Sequence, residues 1–226
     1  MKPPENRKLI IVTRTTRPLG SRDTRTCVTP GRVVRYLRVE TDERVCVDGL
    51  RRGDPAAFDA AFAAYRSRIY GYLLRMTRRH DVAEDLLQEL FMRLAQHATK
   101  LAADTRLGAW LFTVAHRLMI SWSRAQAVRA LLAGDLLHVD STATEPSPLE
   151  ALAASQGQRA LERALDALPP AYREVALLIA NEGMQPSEVA AILGIRADAV
   201  RQRLSRARAQ LAAALGDHAP ASWRTA

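Results

Sequence analysis

A chain of 226 residues that is 48% hydrophobic yet only 5% aromatic, with Ala, Leu and Arg recurring throughout, favours helices and argues against a β-sandwich or barrel. Its 33 basic against 24 acidic residues give a net charge of +9, suited to a polyanionic partner. Cys27 and Cys46 stand outside any metal-ligand spacing, and no apolar run is long enough for a signal-peptide core or a membrane span. Neither a disulfide framework, a zinc site nor membrane insertion is therefore expected, and the expected location is cytoplasmic.

Residues 1–47 hold 11 basic and 5 acidic residues, a net +6, with Pro3, Pro4, Pro18 and Pro30, and sustain no periodicity for long. They read as a disordered basic extension adding weak unspecific DNA affinity, or as residues upstream of the functional protein. A first domain is expected over 48–126. Order begins at Asp54-Pro55, an N-cap residue followed by proline at the first helical position. Phe58, Phe62, Tyr65, Ile69, Leu73 and Met76 then recur in steps of three and four and form one buried stripe. A second helix starts at Asp81, with Glu84 as its capping-box partner. It buries Val82, Leu86, Leu87, Leu90 and Leu94 and turns Asp85, Gln88, Glu89, Met92 and Arg93 outward. A third, Leu107 to Arg124, buries Leu107, Trp110, Leu111, Val114 and Leu118 and shows Thr113, His116, Arg117, Ile120 and Arg124 on its other face.

From Ala127 to Gly157 the pattern loosens into a polar, proline-containing linker, which spans roughly 100 Å when extended at about 3.3 Å per residue. That reach lets two domains occupy well-separated sites. A second domain over 158–216 contains Gln158 to Leu168, a break at Pro169-Pro170, and Pro170 to Asn181 closed by Gly183. Two further helices, Pro186 to Leu193 and Ala197 to Leu215, are joined by a turn at Gly194, and 217–226 form a tail. The fold class expected is all-α, two small helical domains on a flexible linker.

The last two helices meet the physical demands of a DNA-binding helix-turn-helix. Ala190 is small where the helices touch, Gly194 tolerates the left-handed turn, and Ile195, Val200 and Leu204 pack the second helix onto the first. That second helix exposes Arg201, Gln202, Ser205, Arg206 and Arg208. Arg and Gln near the start of a helix in the major groove pair bidentately with base edges, and the later arginines are placed for phosphates. A plain helical hairpin with a solvated basic face is the alternative.

Leu168-Pro169-Pro170-Ala171-Tyr172-Arg173-Glu174-Val175, followed by this helix-turn-helix and Arg203-Leu204-Ser205-Arg206-Ala207-Arg208, resembles region 4 of extracytoplasmic-function sigma factors. Asp54 to Asp59, Ala83 to Arg93 and Ala109 to His116 resemble region 2 of the same family. The resemblance covers about residues 50–125 and 158–215, in the family's order.

The resemblance implies a transcription initiation factor whose partners are core RNA polymerase, through its β′ clamp helices and β flap, promoter DNA and an anti-sigma factor, and which is a monomer when free. Asp85, Gln88, Glu89, Met92 and Arg93 are the implied polymerase face. His116, Arg117, Trp122 and Arg124 are implied contacts to the −10 element, beside a base-capturing loop at Thr99 to Arg106; Trp122 serves either there or in the core. The family commonly has Asn where Arg117 stands and Asp where Ser121 stands, with a denser basic run after it. Arg201, Gln202, Ser205 and Arg206 are the implied −35 readers. Ala197-Asp198-Ala199 departs from the family's usual small-Gly-Thr turn, and Asp198 is expected to cap its helix.

The five histidines form no H-E-x-x-H, and there is no phosphate-cradling glycine loop or nucleophile elbow, so no catalytic residue, metal or cofactor is expected. A stand-alone helix-turn-helix regulator that binds operator DNA unaided is the rival function.

Overall fold

The computed structural model describes residues 43–132 and 156–216; the expectations for residues 1–42, for the linker between 133 and 155 and for the tail from 217 lie outside them. Every regular element among the described residues is helical, in two groups. α1 (Glu43–Arg51), α2 (Pro55–Thr77), α3 (His80–His97) and α4 (Leu107–Leu132) form the N-terminal domain. α5 (Gln156–Ala167), α6 (Pro170–Ala176), α7 (Pro186–Leu193) and α8 (Ala197–Leu215) form the C-terminal one.

Residues 43–47, read from the sequence as the end of a disordered extension, lie within the helix α1, ahead of the start expected at Asp54. α1 buries Cys46, Val47 and Leu50 and leaves Arg44, Asp48 and Arg51 outside, a single short stripe that the Arg-rich surroundings conceal. α1 lies on α2 at very close range. A Cβ added at Gly49 would stand 2.5 Å from the Ala57 Cβ, a separation only glycine permits. Gly49→Ala is therefore expected to force the helices apart and remove about 1–3 kcal/mol of stability. The check is the melting temperature by circular dichroism, and an unchanged value would mean that α1 shifts without cost.

α2 starts as its sequence demands: the Asp54 carboxylate accepts the Ala56 N–H at 2.9 Å and Pro55 takes the first turn. Ile69 and Leu73 are fully buried, together with Tyr72, whereas Phe58, Tyr65 and Met76 are half-buried and Phe62 lies edge-on to Phe91. The capping box expected at Asp81 and Glu84 does not form. The N-cap of α3 is Arg79, two residues before Asp81, and Asp81, already inside the first turn, faces back to Arg79 at 2.5 Å. Those hydrogen bonds hold the Asp81 carboxyl below its usual range.

α4 continues past the expected end near Arg124, through residues assigned to the linker, because Ala125 to Leu132 contain neither Gly nor Pro and nothing stops the helix. Since α4 packs on both α2 and α3, its apolar face is wider than one stripe. Phe112, Ala115 and Met119 are buried beside Leu107, Leu111 and Leu118, and Phe112 meets Tyr72 edge to face at 5.5 Å. Trp110, Val114 and Leu86, expected in the core, are only half-buried.

In the C-terminal domain, Ala164, Leu168, Ala176, Ala207, Leu211 and Leu215 join α5, α6 and the second half of α8. Buried Arg173 ties this unit by donating to the carbonyls of Leu165, Asp166 and Leu168 at 2.7–2.9 Å, satisfying acceptors left open at the end of α5. The rest of the domain, Val175, Leu177, Leu178, Val189, Ile192 and Val200, is continuous with the core of the N-terminal domain.

Candidate nucleic-acid interface

The helix-turn-helix has the geometry its sequence demands. Gly194 adopts φ +64° and closes α7 by donating to the Ala190 carbonyl, which also accepts the Ile195 N–H at 3.0 Å. Val200 is buried, with Ile195 and Leu204 packed beside it. Gln185 and Glu188 supply a reciprocal capping box for α7, in which Glu188 accepts the Gln185 N–H at 2.8 Å. Arg201, Gln202, Ser205, Arg206 and Arg208 are all exposed, spaced so that they lie along one side of α8.

Asp198 does not cap α8. It sits at the second helical position, where its side chain bonds Arg201 and lies 3.8 Å from Arg196. Its charge still complements the helix N-terminus, but its partner is one of the groups expected to reach DNA. Arg206 donates to the Tyr172 hydroxyl at 3.2 Å.

On α4, Arg117 and Arg124 are exposed, and Trp122 is half-buried outside the cluster of core side chains. His116 has a different environment from the solvent-facing one expected. Its Nδ1 lies 2.7 Å from Glu174 Oε1, and the same oxygen accepts the Tyr72 hydroxyl at 2.5 Å. Burial and the adjacent carboxylate push the Tyr72 phenol well up. The residues brought together here, Tyr72 and His116 from one domain and Glu174 from the other, were not recognisable as a set because the pairs lie far apart in the chain.

On α3, Asp85, Gln88, Met92 and Arg93 are exposed and Glu89 is half-buried, with Arg93 bonded to Glu89 at 2.8 Å. The side of α3 facing α2 borders an open groove of about 860 Å³ lined by Phe58, Phe62, Arg66, Phe91 and Met92. Its aromatic floor extends the surface beyond the polar residues singled out by spacing. Phe62, grouped with the core stripe of α2, lines this groove instead.

Further ion pairs bridge the domains. Arg68 meets Glu182 at 2.8 Å, and the Glu182 side chain is only 1% exposed. Arg106 in the loop before α4 bonds Glu188 on α7, and Arg78 pairs with Asp166. Between these pairs, Ala109, Trp110 and Thr113 of α4 face Ala191 and Ile192 of α7.

Two family models match the chain: Sigma-70 region 2 over residues 61–129 and Sigma-70, region 4 over residues 158–211, together more than half of its length. The RNA polymerase sigma factor CarQ of Myxococcus xanthus is 33% identical over 177 residues, covering 76% of this chain and 96% of that protein. The chain is an extracytoplasmic-function sigma factor of the sigma-70 family. The probable RNA polymerase sigma factor RfaY of Xanthomonas campestris pv. campestris is also 33% identical, over 159 residues, but this sigma factor spans only 40% of its length. Among solved structures, the sigma factor RpoE of Bartonella quintana, in complex with the anti-sigma factor NepR, superposes with a TM-score of 0.61 at 26% identity, covering 70% of this chain and 96% of that one. Family membership decides against the stand-alone regulator. It also places α1 ahead of the matched region 2, which is why resemblance to the family gave no warning of it.

Proposed function

We propose that this sigma factor directs core RNA polymerase to promoters bearing separate −35 and −10 elements and promotes melting at the second. The reading is carried by one observation: a region 2 domain and an intact helix-turn-helix with an exposed Arg and Gln face stand in order on one chain. Asp85, Gln88, Glu89, Met92 and Arg93, with the aromatic groove beside them, dock on the β′ clamp helices, a mixed polar and apolar surface of the kind protein interfaces use. The β flap contacts the C-terminal domain. Arg201, Gln202, Ser205, Arg206 and Arg208 bind the −35 duplex through base edges and phosphates. Arg117, Arg124, Trp122 and His116 contact the −10 strand, cations along its backbone and the indole as a stacking surface. Binding energy captured on the unpaired strand opens the duplex, and no bond is made or broken by the protein. It acts in the cytoplasm as a dissociable monomer and is held in check by an anti-sigma factor.

The test is run-off transcription with core polymerase on a library of randomised promoters. Transcripts sharing two upstream sequence blocks are expected. Failure to support any polymerase-dependent transcript, combined with a tight unaided footprint on duplex DNA, would overturn the proposal.

A further inference from the structure

We propose that Tyr172 is a further DNA contact of the C-terminal domain: its hydroxyl accepts a hydrogen bond from Arg206 and donates its own proton to a phosphate oxygen at one edge of the −35 duplex. This inference rests on the reading of α8 as the −35 helix. Arg201 and Arg206 stand five residues apart, about 140° around the helix axis at 3.6 residues per turn. Gln202 and Ser205 fall between those two directions, so the arginines flank the exposed face of α8. A helix lying in the major groove has a sugar-phosphate backbone on either side of it. Arg206 is on the flank nearer α6, where its Nη1 donates to the Tyr172 hydroxyl at 3.2 Å in a contact open to solvent.

The hydroxyl is held in place. The Tyr172 ring packs on the cluster of Ala164, Leu168, Ala207 and Leu211, and its backbone N–H donates to the Pro169 carbonyl at 2.9 Å in the first turn of α6. The next residue, Arg173, is buried and bonded to the end of α5. A group ordered in advance by such packing loses little freedom on binding. Its hydrogen-bonding capacity points to an anion. A phenolic oxygen accepts through its lone pairs and has a single proton to give. Arg206 takes up accepting capacity and leaves that proton for a ligand. Among the described residues Arg206 pairs with no carboxylate, whereas Arg201 is held by Asp198. A guanidinium lacking a counter-charge of its own, side by side with a hydroxyl donor, suits a phosphate of the duplex backbone. Such a contact fixes the helix on the duplex and carries no sequence information.

The test uses holoenzyme reconstituted from core polymerase and the full chain, bound to a labelled promoter fragment recovered from the library and followed by fluorescence anisotropy. Tyr172→Phe keeps the ring and removes only the hydroxyl, and its melting by circular dichroism is expected to match that of wild type. Affinity is expected to fall about tenfold, by the same factor on fragments with altered −35 blocks. Because the hydroxyl is neutral and displaces no counterion, the dependence of affinity on salt is expected to keep its slope. Direct contact is read by replacing single phosphates beside the −35 block with uncharged methylphosphonates. At one position the penalty seen with wild type is expected to shrink by the same tenfold in Tyr172→Phe, since the bond is already gone. Unchanged affinity would overturn the inference. So would a loss that adds in full to every methylphosphonate, because the hydroxyl would then act through Arg206 or the fold and touch no phosphate. Indifference of the wild-type holoenzyme to scrambling of the −35 block would remove the reading of α8, and the inference with it.

Discussion

A chain carrying Arg201→Ala and Arg206→Ala is expected to lose promoter-specific transcription while still binding core polymerase. Both side chains are exposed on α8, where Arg201 bonds Asp198 and Arg206 the Tyr172 hydroxyl, so their removal leaves the buried face of the helix-turn-helix intact. Each bidentate Arg contact to a base is worth about 1–3 kcal/mol, so losing two lowers promoter affinity by roughly two orders of magnitude or more. The polymerase face lies on α3 in the other domain and is untouched. The measurement is run-off transcription alongside co-elution with core polymerase on a sizing column. Equal loss in both assays would sink the division of labour between the domains. The Asp198 to Arg201 bond adds a refinement: Asp198→Ala frees Arg201, and selection on the promoter library in that background is expected to return a changed −35 block rather than a weaker one.

Beginning the chain at Asp54 instead of Thr41 is expected to cost region 2 most of its stability. The shorter start discards α1 and with it Val47 and Leu50, each at most 1% exposed, and Cys46 at 7%. Burying side chains of this size contributes about 1.5–3 kcal/mol each, so the loss is on the order of 4 kcal/mol against a typical margin of about 5–15 kcal/mol. Glu43 raises the cost. Its Oε1 accepts the Gly108 N–H at 2.7 Å and the Tyr65 hydroxyl at 3.1 Å, placing a carboxylate on the N-terminus of α4, where unpaired amide donors and the helix dipole favour it. The helix read as contacting the −10 strand is thus held at its first turn by a residue outside the matched region 2. Melting followed by circular dichroism should show a lower transition for the shorter chain. Identical transitions would mean that α1 is an ornament of the surface.

The parts of this protein that were readable in the sequence are those specified by local chemistry. Gly194, Ala190 and Ile195 identify a helix-turn-helix because each position admits few side chains, and the exposed residues on α3 and α8 follow from three- and four-residue spacing. Helix starts were less legible. The N-cap of α3 is Arg79, two residues before Asp81, and a capping residue two positions inside the helix is no cap. Asp198 failed for the same reason. α1 was hidden because two turns carry too few apolar residues to stand out from a stretch dominated by Arg and Thr. The contact between domains was not legible at all. Glu182 and Glu188 look like surface charges, and only the fold reveals that Arg68 and Arg106 are their partners.

The contact between α4 and α7 buries Ile192 and half-buries Ala109 and Trp110, with the Arg106 to Glu188 pair at its edge. Parting the domains wets these side chains, and wetting apolar surface raises heat capacity. A polymerase that engages the two domains at separate sites should therefore show a less negative heat-capacity change on capture than its buried area implies. The same balance makes temperature a control. The apolar part of the contact weakens on cooling while the ion pair responds chiefly to ionic strength, so cold and salt loosen the two parts separately.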